Sequence, residues 1–207
     1  MNTVGLILMG GQNTRMGGVK KALLSYNGKS FYEHIRQAMM EAGLEHILAS
    51  VEAHWQELSV PQLIDQYKQI GPLGGIVTAL ETILGQTNAD SILVVPCDVP
   101  RVSAPVLQEL LRRFRESRLP VVLFADGRPN PLIAVYTKDC LPVLKQQIAQ
   151  GNYRATHWIN YVTHVRLELT GAEDGEYYLF TDADGKMQQL PVNTIANINS
   201  KEDYISM

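Results

Sequence analysis

A chain of 207 residues, 45% hydrophobic and 19% charged with a net charge of −3, has the composition of a globular protein with a sizeable core. That balance excludes a general electrostatic field for nucleic acid, so any anion site must be a local cluster of donors. Two cysteines, Cys97 and Cys140, are too few for a disulfide framework or a zinc cage and point to a reducing compartment, the cytoplasm.

Thr3–Leu8 is expected to be a buried strand. The apolar run it opens, Val4–Met9, comes after no basic segment and is too short for a signal peptide, and no stretch approaches a membrane span. Ser30 and Glu33 have capping-box spacing, so a helix starts at Ser30 and stops at Gly43. His46–Val51 reads as the second strand, and Pro72–Leu84 as a helix with proline in its first turn and Gly85 after its end. SILVVP (91–96) is a third strand, and Ser103 caps a helix running to about Arg115. PVVLFA (120–125) and LIAVY (132–136) are strands, Asp139–Gln150 is helical, and HVRLEL (164–169) is a further strand. The alternation predicts a parallel or mostly parallel sheet covered on both faces, in a single domain over residues 1–207.

Residues 171–191 stand apart. They are acidic at first and then alternate around the turn DADG, so a hairpin insertion is expected there. Asp182 and Asp184 lack the other ligands of a calcium loop. No further helix is expected before Lys201–Ser206, and Asn197 and Asn199 read as one face of a late strand.

The chemistry is concentrated in residues 8–24, LMGGQNTRMGGVKKALL. The glycines fit neither G-x-x-x-x-G-K-[ST] nor G-x-G-x-x-G, which excludes both familiar phosphate loops. What remains is a strand end leading into a long loop whose backbone N–H groups face a triphosphate, with Arg15 and Lys21 neutralising it, or a surface loop with solvated cations. Asp98 comes directly after SILVV and Pro-Cys, where an open parallel sheet has its crevice, and a carboxylate there suits Mg²⁺. Two glycines in the first turn of the helix at Pro72 cost about 1 kcal/mol each against alanine, a cost that close approach of a nucleotide would justify. Cys97 reads as a small buried residue, Trp55, Trp158 and Tyr153 as packing residues, and the histidines show no metal spacing.

The loop resembles the signature L-A-G-G-x-x-x-R-M-G-x-x-K of the molybdenum cofactor guanylyltransferases, a MobA-type nucleotidyltransferase family. IGPLGGI (70–76), VPCDVP (95–100), GRPNPLIAVY (127–136) and NINSKED (197–203) resemble further segments of that family, in the same order. The resemblance implies a three-layer Rossmann-like α/β fold of the nucleotide-diphospho-sugar transferase type. It implies Mg²⁺ and transfer of GMP from GTP to molybdopterin, releasing pyrophosphate. It makes Arg15, Lys21 and Asp98 catalytic, with Asp98 on the metal. It places Leu8, Met9, Gly10, Gly11, Lys21, Ser50, Asp65, Gly71, Pro72, Leu73 and Asp98 on the nucleotide, and Asn130, Pro131, Asn197 and Asn199 on the molybdopterin side. The implied partners are these substrates and, transiently, molybdenum-cofactor enzymes or insertion proteins, with no nucleic acid and no membrane.

Four positions depart from the family pattern. Lys20 stands where an acid that could orient Lys21 is usual, so it is expected to add only diffuse attraction for the triphosphate. Ser50 replaces an asparagine, Met9 an alanine, and NSKED lacks a proline. Two other readings stay open: a relative using CTP or a sugar-1-phosphate, and a nucleotide-binding accessory protein without catalysis.

Overall fold

The computed structural model describes residues 2–9, 20–182 and 184–205. In chain order its strands are β1 (Thr3–Leu8), β2 (Ser25–Tyr26), β3 (Lys29–Ser30), β4 (Ile47–Val51), β5 (Gln62–Ile64), β6 (Ser91–Pro96), β7 (Val121–Ala125), β8 (Arg128–Thr137), β9 (Val165–Gly171), β10 (Tyr177–Thr181) and β11 (Met187–Pro191). The helices are α1 (Phe31–Glu41), α2 (Pro72–Gln86), α3 (Ala104–Ser117), α4 (Leu141–Ala149), α5 (Ala155–Ile159) and α6 (Lys201–Ile205).

Among the described residues one sheet of nine strands runs in the order β11-β10-β9-β7-β8-β6-β1-β4-β5. β1 is parallel to β4 and β6, β4 to β5, and β7 to β9. β8 runs antiparallel between β6 and β7, and β10 antiparallel between β9 and β11. The sheet is therefore mostly parallel, as expected, with a reversal at β8. The reversal has a local cause in the turn Asp126-Gly127, where both residues have positive φ (47° and 73°). An Asp-Gly pair of that kind closes a two-residue hairpin and matches the twist of its strands.

Both sheet faces are covered, which is why the strands read as continuous apolar runs. Ile7, Leu93, Val95 and Leu123 point to one side, against Ile35 and Met39 of α1 and Leu107, Leu110 and Phe114 of α3. Leu6, Leu8, Ile92 and Val94 point to the other, against Ile76, Val77 and Leu80 of α2, Leu144 of α4 and Trp158 of α5. Trp158, fully buried, lies 4.5 Å from the Tyr136 ring centroid to centroid. Two clusters on opposite faces of one sheet make three layers.

The capping box at α1 is present: Glu33 Oε2 accepts from the Ser30 backbone N–H at 2.7 Å and from the Ser30 hydroxyl at 2.5 Å. Elsewhere the structure differs from the sequence reading. Gly85 lies inside α2 rather than after it. Ser103 precedes α3, but its hydroxyl is buried and makes no cap bond. The 171–191 hairpin forms as β10 and β11 and extends the main sheet, sending Phe180 and Leu190 into the α3-side core. A 3-10 turn, Val192–Ile195, comes next, and Asn197 and Asn199 lie in an irregular segment, not in a strand. That segment is held by backbone: Ile198 N–H donates to Asp98 O at 2.8 Å, and the Tyr204 hydroxyl of α6 donates to Ser25 O at 2.8 Å.

Candidate active site

The parallel strands β1, β4, β5 and β6 end side by side, and a short ladder of backbone bonds ties together the residues just beyond their ends. Met9 N–H donates to Ser50 O at 3.0 Å, Cys97 N–H to Leu8 O at 2.9 Å, and Asp65 N–H to Val51 O at 2.9 Å. Leu8, Ser50, Asp65 and Asp98 are thereby gathered at one edge, where an open α/β sheet has its crevice.

A cavity of 680 Å³ opens there, lined by Leu8, Ser50, Asp65, Gly71, Pro72 and Gly75 together with Glu52, Tyr67, Lys68 and Gln69. Asp65, which the resemblance places on the nucleotide, is 7% exposed. Its Oδ1 accepts from the buried Ser50 hydroxyl at 2.6 Å. Burial pushes the Asp65 carboxyl above its usual value, and the Ser50 bond opposes that.

The glycines at the start of α2 have a different reason from the one expected. A Cβ on Gly75 would meet Ser50 Oγ at 2.1 Å and Leu8 Cδ2 at 3.0 Å, and one on Gly74 would meet the Tyr67 carbonyl oxygen at 2.4 Å. The helix comes this close to β1, β4 and the 65–70 segment because the protein itself fills the space. Gly71, with φ 64° and ψ −149°, occupies backbone territory open only to glycine, and Pro72 then begins the helix.

Met9 and Leu73 turn their side chains away from the cavity, into the two core clusters. Cys97 is likewise packing: burial, with the neighbouring Asp98 charge, pushes its thiol up to about 12. Gly10, Gly11 and Arg15 lie outside the described residues.

Asp98 comes just after β6, with β1 on one side of that strand and β8 on the other. Its Oδ1 is buried and has no hydrogen-bond partner among the described residues. Burial raises the carboxyl, and the Lys21 charge pulls it back. Lys21 opens a 3-10 turn, Lys21–Leu23, and its ammonium donates to Asn199 Oδ1 at 3.0 Å. Lys20 is not a diffuse second cation. Its ammonium donates to both carboxylate oxygens of Glu57, at 2.9 and 3.1 Å, and lies 4.6 Å from the centroid of Trp55.

A second cavity, of 780 Å³, lies over the β7–β8 end and brings together Asn130, Pro131 and Asn197, with Arg128, Arg154 and Tyr178 also on its wall. Asn199 is not on that wall; it serves Lys21 instead. Sequence reasoning passed over Glu52, Lys68, Glu57 and the two arginines. Lys68 and Gln69 could have been found from their place between Asp65 and GPLGG, whereas Glu57 carries no local signal.

A buried carboxylate oxygen without a partner fits a bound cation. Among the described residues no group of three or more His, Cys, Asp or Glu could hold a metal. One buried carboxylate suits a hard divalent cation that completes its shell with water and substrate phosphates.

The sequence profile described as the MobA-like NTP transferase domain matches residues 5–167. A probable molybdenum cofactor guanylyltransferase of Bacillus cereus is 38% identical over 212 residues, spanning 97% of this chain and 93% of the relative. The crystal structure of molybdopterin-guanine dinucleotide biosynthesis protein A from Archaeoglobus fulgidus superposes with a TM-score of 0.73 at 20% identity, covering 98% of this chain and 95% of that one. Rv0371c of Mycobacterium tuberculosis, solved as a manganese complex, shares the fold at a TM-score of 0.60 and 12% identity, covering 100% of this chain and 97% of that one. With a sheet of this topology and a profile match over most of its length, the chain belongs to the family of MobA-like NTP transferases, nucleotidyltransferases of molybdenum cofactor biosynthesis.

Proposed function

We propose that the protein transfers GMP from GTP to molybdopterin, with Mg²⁺, and releases pyrophosphate. The observation that carries this reading is the pair Asp98 and Lys21 at the strand ends: a buried carboxylate oxygen with no partner among the described residues, and an ammonium held by a neutral amide. The cavity lined by Ser50, Asp65, Gly71 and Pro72 takes the guanosine, and Leu8 its near edge. Lys21 and Arg15 neutralise the triphosphate. Asp98 holds Mg²⁺, which supplies electrostatic stabilisation of the charge that develops on the α-phosphate.

Asn199 keeps Lys21 in place without neutralising it. The second cavity, with Asn130, Pro131 and Asn197, takes the molybdopterin. The attacking phosphate of that acceptor has a second pKa of about 6 and is largely ionised at neutral pH, so no general base is required. Cytoplasmic action and transient contact with molybdenum-cofactor enzymes or insertion proteins belong to the same reading.

Thermal unfolding with GTP, CTP, ATP and UTP, each with and without Mg²⁺, tests it. A ligand at 100 Kd stabilises by about 2.7 kcal/mol. For a chain of this size that is a rise of roughly 5–10 °C in Tm. GTP with Mg²⁺ is expected to give the largest rise, and a larger one with CTP would move the protein to the cytidylyl relatives.

A further inference from the structure

On the guanylyl-transfer reading Lys21 acts on the triphosphate, and we infer that Lys20, Glu57 and Trp55 form a latch that positions Lys21. Lys20 is a positioning residue in this scheme, not a phosphate ligand.

The latch has a fixed receiving side. Trp55 is tied to β5 through Gln62, whose Oε1 accepts from the Trp55 backbone N–H at 2.8 Å while its Nε2 donates to Trp55 O at 2.7 Å. Onto this frame Lys20 places its ammonium, with two bonds to Glu57 and the Trp55 ring 4.6 Å away. A cation over an indole that also meets a carboxylate fork is restricted in direction as well as distance.

The 3-10 turn at Lys21–Leu23 carries this restriction to Lys21. Leu23 N–H donates to Lys20 O at 2.9 Å and Leu24 N–H to Lys21 O at 3.0 Å, and Ala22 is buried at 1% exposure. Neighbouring side chains therefore leave in different directions: Lys20 toward the connection between β4 and β5, Lys21 toward the segment before α6. Asn199, which receives Lys21, is itself held, since its N–H donates to Asp203 Oδ2 at 2.8 Å. The Lys21 head is thus fixed at its acceptor, and its backbone is fixed through the preceding residue. Lys20 and Glu57 are half-exposed, and a pair of that kind adds little to folding. Its effect is on where the next residue starts.

Two measurements on the full chain test the latch. Lysine ammonium groups held in hydrogen bonds exchange slowly enough to give ¹⁵Nζ correlations, a readout that needs no substrate. Both Lys20 and Lys21 are expected to show them, and Glu57→Ala should remove the first and weaken the second; an unchanged Lys21 signal overturns the latch. In steady-state kinetics Lys20→Ala and Glu57→Ala are each expected to lower kcat about tenfold with little change in the KM for GTP. In a Lys21→Ala background the same changes should cost less than about twofold, because they act through a group already removed. Exchanging the charges, Lys20→Glu with Glu57→Lys, should recover most of what Glu57→Lys alone loses. Purely additive losses in an active enzyme overturn the latch. A chain inert toward GTP ends the guanylyl reading instead, and the Nζ signals still decide the latch.

Discussion

Lys21 and Asn199 lie 178 positions apart in the chain and meet head to head, the ammonium donating to the amide oxygen at 3.0 Å. An amide directs a lysine without cancelling its charge, so the full positive charge stays available to a phosphate. Lys21→Ala is therefore expected to lower kcat/KM by at least two orders of magnitude, about 2.7 kcal/mol of transition-state binding. Asn199→Ala should cost roughly tenfold, through placement alone. Asn199→Asp should cost more than the alanine, because it neutralises Lys21 and adds a negative charge beside the phosphates. Steady-state kinetics on the three variants checks this order, and a wild-type rate in Asn199→Asp would contradict it.

Asp98→Asn separates function from folding. The side chain keeps its shape and loses its charge, so metal-dependent transfer should disappear. Stability should not fall with it: burial penalises the ionised carboxylate, and the amide carries no such penalty. The variant is expected to melt at or above the wild-type temperature at neutral pH, and to lose the additional rise that Mg²⁺ gives with GTP. Transfer near the wild-type rate would remove Asp98 from the metal.

Two glycines of α2 should respond in opposite directions. Gly75→Ala drives a methyl group to 2.1 Å from Ser50 Oγ and 3.0 Å from Leu8 Cδ2. Crowding of this kind costs about 1–3 kcal/mol, and here it also displaces the hydroxyl that holds Asp65. Gly85→Ala meets nothing within 4 Å and gains the helix preference of alanine, roughly 0.5–1 kcal/mol. Denaturant unfolding of both variants measures the contrast, and a stabilised Gly75→Ala would show that α2 can retreat from β4.

The parts legible in sequence were those fixed by near neighbours. The strand at Thr3–Leu8, the capping box at Ser30 and Glu33, and the position of Asp98 just past SILVVP are all matters of local pattern, and the structure has them. The reversal at β8 also has a local signal, Asp126-Gly127 between two apolar runs, which the sequence reading did not use. Lys20 illustrates what could not be read. Its partner Glu57 is 37 residues away. Only the fold shows that an acid at position 20 would face another acid, so Lys20→Asp, which looks harmless against the family pattern, should be worse than Lys20→Ala. The glycines of GPLGG give the same lesson, since a close approach was legible but the approaching atoms, Tyr67 O and Ser50 Oγ, were not.

The buried pair Ser50 and Asp65 should give nucleotide binding a pH dependence. Burial is the largest influence on the Asp65 carboxyl and raises it above the reference value of 3.8. The Ser50 hydroxyl and the Lys68 charge lower it, and Glu52 adds to the rise. An ionised Asp65 can accept from the hydroxyls or N–H groups of a nucleoside, and a protonated one loses part of that capacity. Affinity for GTP should accordingly fall as pH drops through the raised value. Ser50→Ala removes a donor that favours the charged form, so Asp65 rises further and the loss of affinity starts at higher pH. Stability moves in the opposite sense, for the folded state binds the extra proton: between the ordinary and the raised value the contribution of Asp65 to stability falls as pH rises, and the window widens in Ser50→Ala. Asp65→Asn should flatten both dependences. Calorimetric titration of GTP from below the ordinary carboxylate value up to neutral pH reads the first effect, and unfolding over the same range reads the second. If the Ser50→Ala binding curve lies on that of the wild type, the hydroxyl does not tune the carboxylate and Asp65 reads the nucleotide unaided.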